Sequence, residues 1–164
     1  MVRQCLRIFV IAVLAAGVPL AARGQTTPTP PPVAAVDPAD PFLDGSVLHD
    51  IFLTINSRDW ASLKEHFLDN TYYPCDFKWN GQTVRNIGIR SRGTGSRSGV
   101  KPGLRVDFNR YVTDQEFLGL KSFVLRNQTQ DASNLHERLS MLLFKRMDLP
   151  ASREASAKLF INNA

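Results

Sequence analysis

The sequence predicts an α+β domain, a mainly antiparallel sheet with two packed helices. Three observations carry this expectation. Short runs of β-branched and aromatic residues punctuate the chain, with Leu48–Ile55 the first of them. An Asn80-Gly81 pair joins two such runs and tolerates the positive φ angles of a type I′ hairpin turn. Two stretches, Ser57–Leu68 and Asp131–Met147, repeat apolar residues at helical spacing.

The chain opens with Arg3 and Arg7, then the apolar run Ile8–Val18, then Ala22-Arg23-Gly24. Basic, apolar and small residues in that order predict a secretory signal peptide over 1–24. The run is short of the about 20 apolar residues that a spanning helix needs, so no stable membrane span is expected after cleavage. The rival reading is an uncleaved N-terminal anchor. Removing Arg3, Arg7 and Arg23 lowers the formal charge from +5 to +2. A general nucleic-acid binder is therefore not implied. Cys5 leaves as well, and Cys75 alone remains, so the mature chain has no internal disulfide. Within Tyr72–Phe77, Cys75 reads as a small buried hydrophobe.

Residues 25–41 hold six of the ten prolines and read as an extended linker. The folded part is expected over 42–164. Leu48–Ile55 is its first strand. Ser57 is the expected cap of the first helix, with Trp60, Leu63, Phe67 and Leu68 turned to the core. Tyr72–Trp79 and Gln82–Gly93 form the hairpin. Leu104–Asn109 and Leu120–Asn127 supply two more strands. Asp131, Ser133 or Asn134 caps the second helix, whose apolar face is Leu135, Leu139, Leu142 and Met147, and Pro150 follows its end. Ser156–Ile161 begins a last strand and runs into Asn162-Asn163, a turn pair with no returning strand after it. The sequence is thus expected to be the front part of a longer domain.

One interval stands apart chemically. No acid lies between Asp76 and Asp107, while Lys78, Arg85, Arg90, Arg92, Arg97, Lys101 and Arg105 do. Such a local cationic field suits an anion. The strand period places Ile87, Ile89 and Ser91 on one face and Gly88, Arg90 and Arg92 on the other. Leu104, Val106 and Phe108 point to the core in the same way, leaving Arg105 and Asp107 opposite. The connection carries Gly93, Gly95 and Gly99 with Ser96 and Ser98, and a loop of this kind can aim backbone N–H groups at an oxyanion. It matches neither GxxxxGK[ST] nor GxGxxG. From these residues alone the plainer reading is a solvated hairpin loop with surface arginines.

The succession Asp59–Leu63, Tyr72–Ser96, Lys101–Tyr111, Phe117–Asn127 and Asp131–Asn162 resembles the CotH kinase family, over about Leu48 to Asn163. The resemblance implies an atypical protein-kinase-like fold, of which this chain would be the N-terminal, nucleotide-facing lobe. It implies a secreted, periplasmic or cell-surface protein, with ATP and Mg²⁺ or Mn²⁺ as cofactors of the full-length enzyme and a protein as phosphoryl acceptor. The family's catalytic and metal-binding aspartates would lie further along, so no catalytic or metal residue is assigned here and the fragment alone is expected to be inactive. Gly95-Ser96-Arg97-Ser98 stands where relatives often have a shorter N-x-S-S form.

In kinases a strand lysine meets the phosphates and pairs with a helix glutamate. The resemblance makes Lys101 and Glu137 that pair here, with Arg90, Arg92 and Arg105 as further phosphate ligands. Each has a structural alternative. Lys101 precedes Pro102 and can be an exposed strand start. Glu137 can close a capping box from Asn134. Arg90 can bridge to Asp107 across strands. His136 opens no HExxH motif, because Ser140 stands at the second histidine position, and His49, His66 and His136 lack metal spacing. Asn127-Gln128-Thr129 is a glycosylation sequon. Three functions compete: an exported CotH-type kinase; an extracellular or cell-surface binding module of that family, engaging a surface component; and a nucleic-acid binder. The last lacks the aromatic residues that stacking platforms interleave with cations.

Overall fold

The computed structural model describes residues 36–163. The expected signal peptide, and the expected linker up to residue 35, lie outside the described residues. The elements are β1 (Leu48–Ile55), α1 (Ser57–Glu65), β2 (Tyr73–Trp79), β3 (Gln82–Ser91), β4 (Leu104–Asp107), β5 (Ser122–Leu125), α2 (His136–Arg146) and β6 (Ser156–Ile161). They form an α+β unit around one six-stranded sheet, in the order β5-β4-β3-β2-β1-β6.

Pairing from β1 through β5 is antiparallel throughout. β6 lies parallel to β1, with Ile51 opposite Leu159. The sheet is mainly antiparallel, as expected, but mixed. The parallel pair has a topological cause. β5 and β6 run in one direction at opposite edges, so the chain must cross between them, and α2 lies in that crossover.

The β2–β3 turn has φ 45° at Asn80 and 79° at Gly81, the two positive angles of a type I′ turn. Farther along, β3 carries a bulge. Asn86 sits at φ 55°, and its N–H donates to Asp76 Oδ1 at 2.9 Å. The register shifts there, pairing Val84 with Phe77 and Ile87 with Cys75. The extra residue lets Val84 and Ile87 both reach the core despite their odd spacing.

Beyond the bulge the alternation read from the sequence holds. Ile87, Ile89, Ser91, Leu104, Val106 and Phe108 are buried, and Arg90, Arg105 and Asp107 are not. Ile51, Leu53, Ile55, Cys75, Phe77 and Trp79 complete the inner face of β1 and β2. Burying each of the larger side chains contributes about 1.5–3 kcal/mol. The sheet curls round this core, for Phe42 meets Trp79 edge-on at 5.3 Å and Phe123 of β5 at 5.2 Å. Packing also reaches back into the expected linker. Ala39 is buried, and Arg153 binds Asp37 and Asp40 at 2.6 and 2.7 Å.

The helices depart from expectation in two ways. Asn56, not Ser57, caps α1, its Oδ1 accepting the Arg58 N–H at 2.9 Å. Leu63 is buried and Trp60 packs against the core, whereas Leu68 lies past the helix end and is exposed. The second departure is larger. Two packed helices were expected, and only α1 packs, against β2 and β3. α2 buries none of its residues. Leu135, Leu139, Leu142 and Met147, expected in the core, are exposed, together with Leu143 and Phe144. The apolar stripe is real, but nothing among the described residues covers it. No described helix is long and apolar enough to cross a membrane.

Candidate functional site

The outer face of β3, β4 and β5 gathers the cations. Arg90 stands opposite Arg105 across β3 and β4, and Arg105 opposite Val124 across β4 and β5. The Arg92 N–H bonds to Gly103 O at 2.8 Å and so extends the β3–β4 ladder by one step. Arg92 and Arg126 line one small cavity of about 20 Å³, with Ser96, Gly103, Val124 and Asn127 among its walls. The volume is water-sized, so it is a notch and not an enclosed nucleotide pocket. A larger open cleft, about 600 Å³, lies at the hairpin end of β2, lined by Leu48, Asp50, Phe52, Lys78 and Asn80 among others. It contains none of the expected site residues.

The expected residues are placed as follows. Arg90 donates to Asn70 Oδ1 at 2.8 Å and to Ser91 O at 3.1 Å, and lies over the Tyr72 ring at 5.5 Å. It does not bridge to Asp107. That carboxylate accepts the Tyr72 hydroxyl at 3.2 Å and faces Arg105 Nε at 4.0 Å. Arg105 also donates from Nη2 to Ser122 Oγ at 3.2 Å, while its buried Nε has no hydrogen-bond partner among the described residues. Arg92 and Lys101 are exposed, and among the described residues neither side chain has an ion-pair partner.

The expected Lys101–Glu137 pair is not formed. Glu137 Oε1 lies 2.9 Å from Arg126 Nε, so the cation facing the helix glutamate is Arg126, just past β5. Nor does Glu137 close a capping box. None of Asp131, Ser133 and Asn134 holds the N-cap position of α2, which is Leu135 without a side-chain cap; Asp131 serves the first turn from upstream, accepting the His136 N–H on Oδ2 at 2.8 Å and the Ser133 hydroxyl on Oδ1 at 2.6 Å. The Ser133 hydroxyl bond, followed by backbone donors from His136 and Ser133, holds the Asp131 carboxyl well below its usual range, at about 2.

Two side chains missed in the sequence shape the loop between Gly93 and Lys101. The first is Arg97, counted above only as one of the cations. Its guanidinium donates to Gly93 O at 2.8 Å and Asn70 Oδ1 at 2.7 Å. It also donates to the carbonyls of Phe67, Leu68 and Asp69 just past α1. Arg97 is thus consumed as a clasp. The loop crosses α1 so closely that a Cβ on Gly99 would meet Lys64 O at 2.6 Å, which requires glycine there.

The second is Asn127, read above only as a sequon. It is buried, and its Nδ2 donates to Ser96 O and Lys101 O, both at 2.8 Å. In the folded chain this nitrogen is occupied and out of reach of a glycosylating enzyme. A signal for Arg126 was available, since Leu125-Arg126-Asn127 ends a strand beside the predicted helix start.

The arrangement offers guanidinium groups beside a glycine- and serine-rich loop, with Gly93 and Ser96 lining the same notch as Arg92 and Arg126. It suits an oxyanion such as phosphate. It does not suit a divalent cation, and no group of three or more His, Cys, Asp or Glu able to hold a metal occurs among the described residues.

Residues 89–164 match the family model described as CotH kinase protein. The match takes in Arg90, Arg92, Lys101, Arg105, Arg126, Asn127 and Glu137, and with them β4, β5, α2 and β6. No curated protein matches the chain.

Proposed function

From a chain whose residues 89–164 carry the CotH kinase signature, we propose that this sheet face is the phosphate-binding part of an exported CotH-type kinase. The enzyme would transfer a phosphoryl group from ATP to a protein. The observation that carries the proposal is the Arg126–Glu137 ion pair at 2.9 Å, beside the notch that Arg126 shares with Arg92. Protein kinases present positive charge to nucleotide phosphates from a strand lysine held by a helix glutamate, beneath a glycine-rich loop; here the cation is the arginine just past β5.

In this reading Arg92 and Arg126 meet the phosphates, and Lys101 adds charge from the loop end. Arg105 and Arg90 raise the field behind them. Glu137 keeps Arg126 in place and leaves its terminal nitrogens free. ATP supplies the phosphoryl group when bound. The divalent metal that accompanies it would be held by residues other than these, because the donors present are cations. The protein acceptor and the export route follow from the family resemblance and belong to the same proposal.

The test is calorimetric titration of the full-length protein with ATP. Binding should be competed by inorganic tripolyphosphate and should weaken steeply between low and physiological salt, since exposed cations are screened within a Debye length of about 8 Å at 0.15 M. Absence of any ATP binding at low salt would overturn the proposal.

A further inference from the structure

Asn127 does more than satisfy its own polarity. It is 7% exposed, and both of its bonds to carbonyls run to the same loop, one near the middle at Ser96 and one at the end at Lys101. Its Oδ1 accepts the Thr129 hydroxyl at 3.3 Å, which fixes the orientation of the amide. A carboxamide is a neutral group that offers two donors from one nitrogen. Asn127 follows Arg126, so the loop is tied to the same short segment that carries the ion-paired arginine.

The loop is gripped on its other side as well, by Arg97 against the end of α1. Gln130 adds a third tie, donating to Gly95 O at 3.2 Å. A loop held from both sides before any ligand arrives avoids the ordering cost that binding otherwise incurs.

We propose that Asn127 is the positioning residue of the phosphate site: it fixes where the Gly93–Lys101 loop stands beside Arg92 and Arg126, and thereby the affinity for phosphate groups. The proposal rests on the phosphate-binding reading of this face. Asn127 is a wall of the notch, but its amide nitrogen is spent on the loop carbonyls, so its effect is felt in the free state, where the untied loop must be reordered for binding.

The experiment uses the full-length protein, with inorganic tripolyphosphate as the probe. Asn127→Leu keeps the branched heavy-atom skeleton, adds no charge and removes both donors. Its dissociation constant should rise about tenfold, equivalent to about 1.4 kcal/mol. Amide hydrogen exchange should quicken over residues 94–101 in the free variant while β2 and β3 stay protected. At saturating tripolyphosphate the loop's protection should return to the wild-type level, which a merely broken fold would not show. If Asn127→Leu does not fold, Thr129→Val decides, since it removes the hydroxyl bond to Oδ1 and should weaken binding by about threefold through that one lost hydrogen bond. Wild-type affinity and unchanged loop exchange in the folded variant would overturn the role of Asn127. Failure of the wild type itself to bind tripolyphosphate would overturn the phosphate reading, and this proposal with it.

Discussion

Arg126 Nε and Glu137 Oε1 meet at 2.9 Å, which ties the residue after β5 to the first turn of α2. The pair is partly exposed, with side chains 57% and 31% accessible, so its direct contribution to stability is small, within about 1 kcal/mol. Its importance is positional, because it holds one guanidinium at the rim of the notch. Glu137→Gln should therefore leave the melting curve almost unchanged and weaken ATP binding several-fold. Thermal melts beside ATP titrations check this. A large loss of stability with intact binding would make the pair structural.

Arg97 and Arg92 sit near one another in sequence and should behave oppositely. Arg97 fills acceptors on Gly93, Phe67, Leu68, Asp69 and Asn70, whereas Arg92 is exposed. Arg97→Ala should cost about 1.5–3 kcal/mol, the scale of hydrogen bonds to a charged group. Arg92→Ala should stay within about 0.5 kcal/mol of wild type. Urea denaturation of both variants measures the difference, and equal midpoints would contradict the clasp.

Gly88 faces outward beneath Arg110 and Tyr72. A Cβ there would meet Arg110 Cβ and Cγ at 2.6 Å and Tyr72 Cδ1 at 3.0 Å. The obstruction is the near end of Arg110, which cannot swing aside as a chain tip would. Gly88→Ala should destabilise by about 1–3 kcal/mol, the usual cost of overpacking. It should also displace Arg110 from the Tyr72 ring, now 4.7 Å away. Chemical denaturation reads the first effect and tyrosine fluorescence the second.

The carboxylate that serves the first turn of α2 gives a pH signature. Asp131 titrates at about 2 when folded, against 3.8 as the reference value. A depressed folded value means that the unfolded chain takes up the proton first as pH falls. The stabilisation is therefore complete above the unfolded value and is lost on acidification from about 4 to about 2. Asp131→Asn should flatten the stability profile in that window. Denaturation midpoints across it, for both proteins, check the prediction; parallel profiles would contradict it.

Much of the fold was legible because local chemistry decided it. Asn80-Gly81 fixed the hairpin, and the alternation of Ile87, Ile89 and Ser91 with Arg90 and Arg92 fixed which face was inward. The sequence misled where the partner was not local. The stripe Leu135, Leu139, Leu142 looks the same whether a helix is covered or open, so α2 read as packed. Glu137 was assigned to Lys101 by resemblance to the kinase lysine–glutamate pair, yet the crossover sets α2 beside the end of β5, where Arg126 meets Glu137. Asn127 carried a surface signal, the sequon, and turned out buried, because its role depends on a loop about 30 residues earlier in the chain.

The central claim, that Arg92 and Arg126 form the phosphate-binding notch, is tested most directly by titrating ATP into four forms of the full-length protein at low salt. These are wild type, Arg92→Ala, Arg126→Ala and the control Arg85→Ala, which removes the same charge from the hairpin half of β3. Each notch variant should lose about 1.5–3 kcal/mol of binding free energy, the scale of one charge-assisted hydrogen bond, while Arg85→Ala binds nearly as wild type. Equal affinity in all four, or equal losses in all three variants, would contradict the account and leave only a diffuse surface charge.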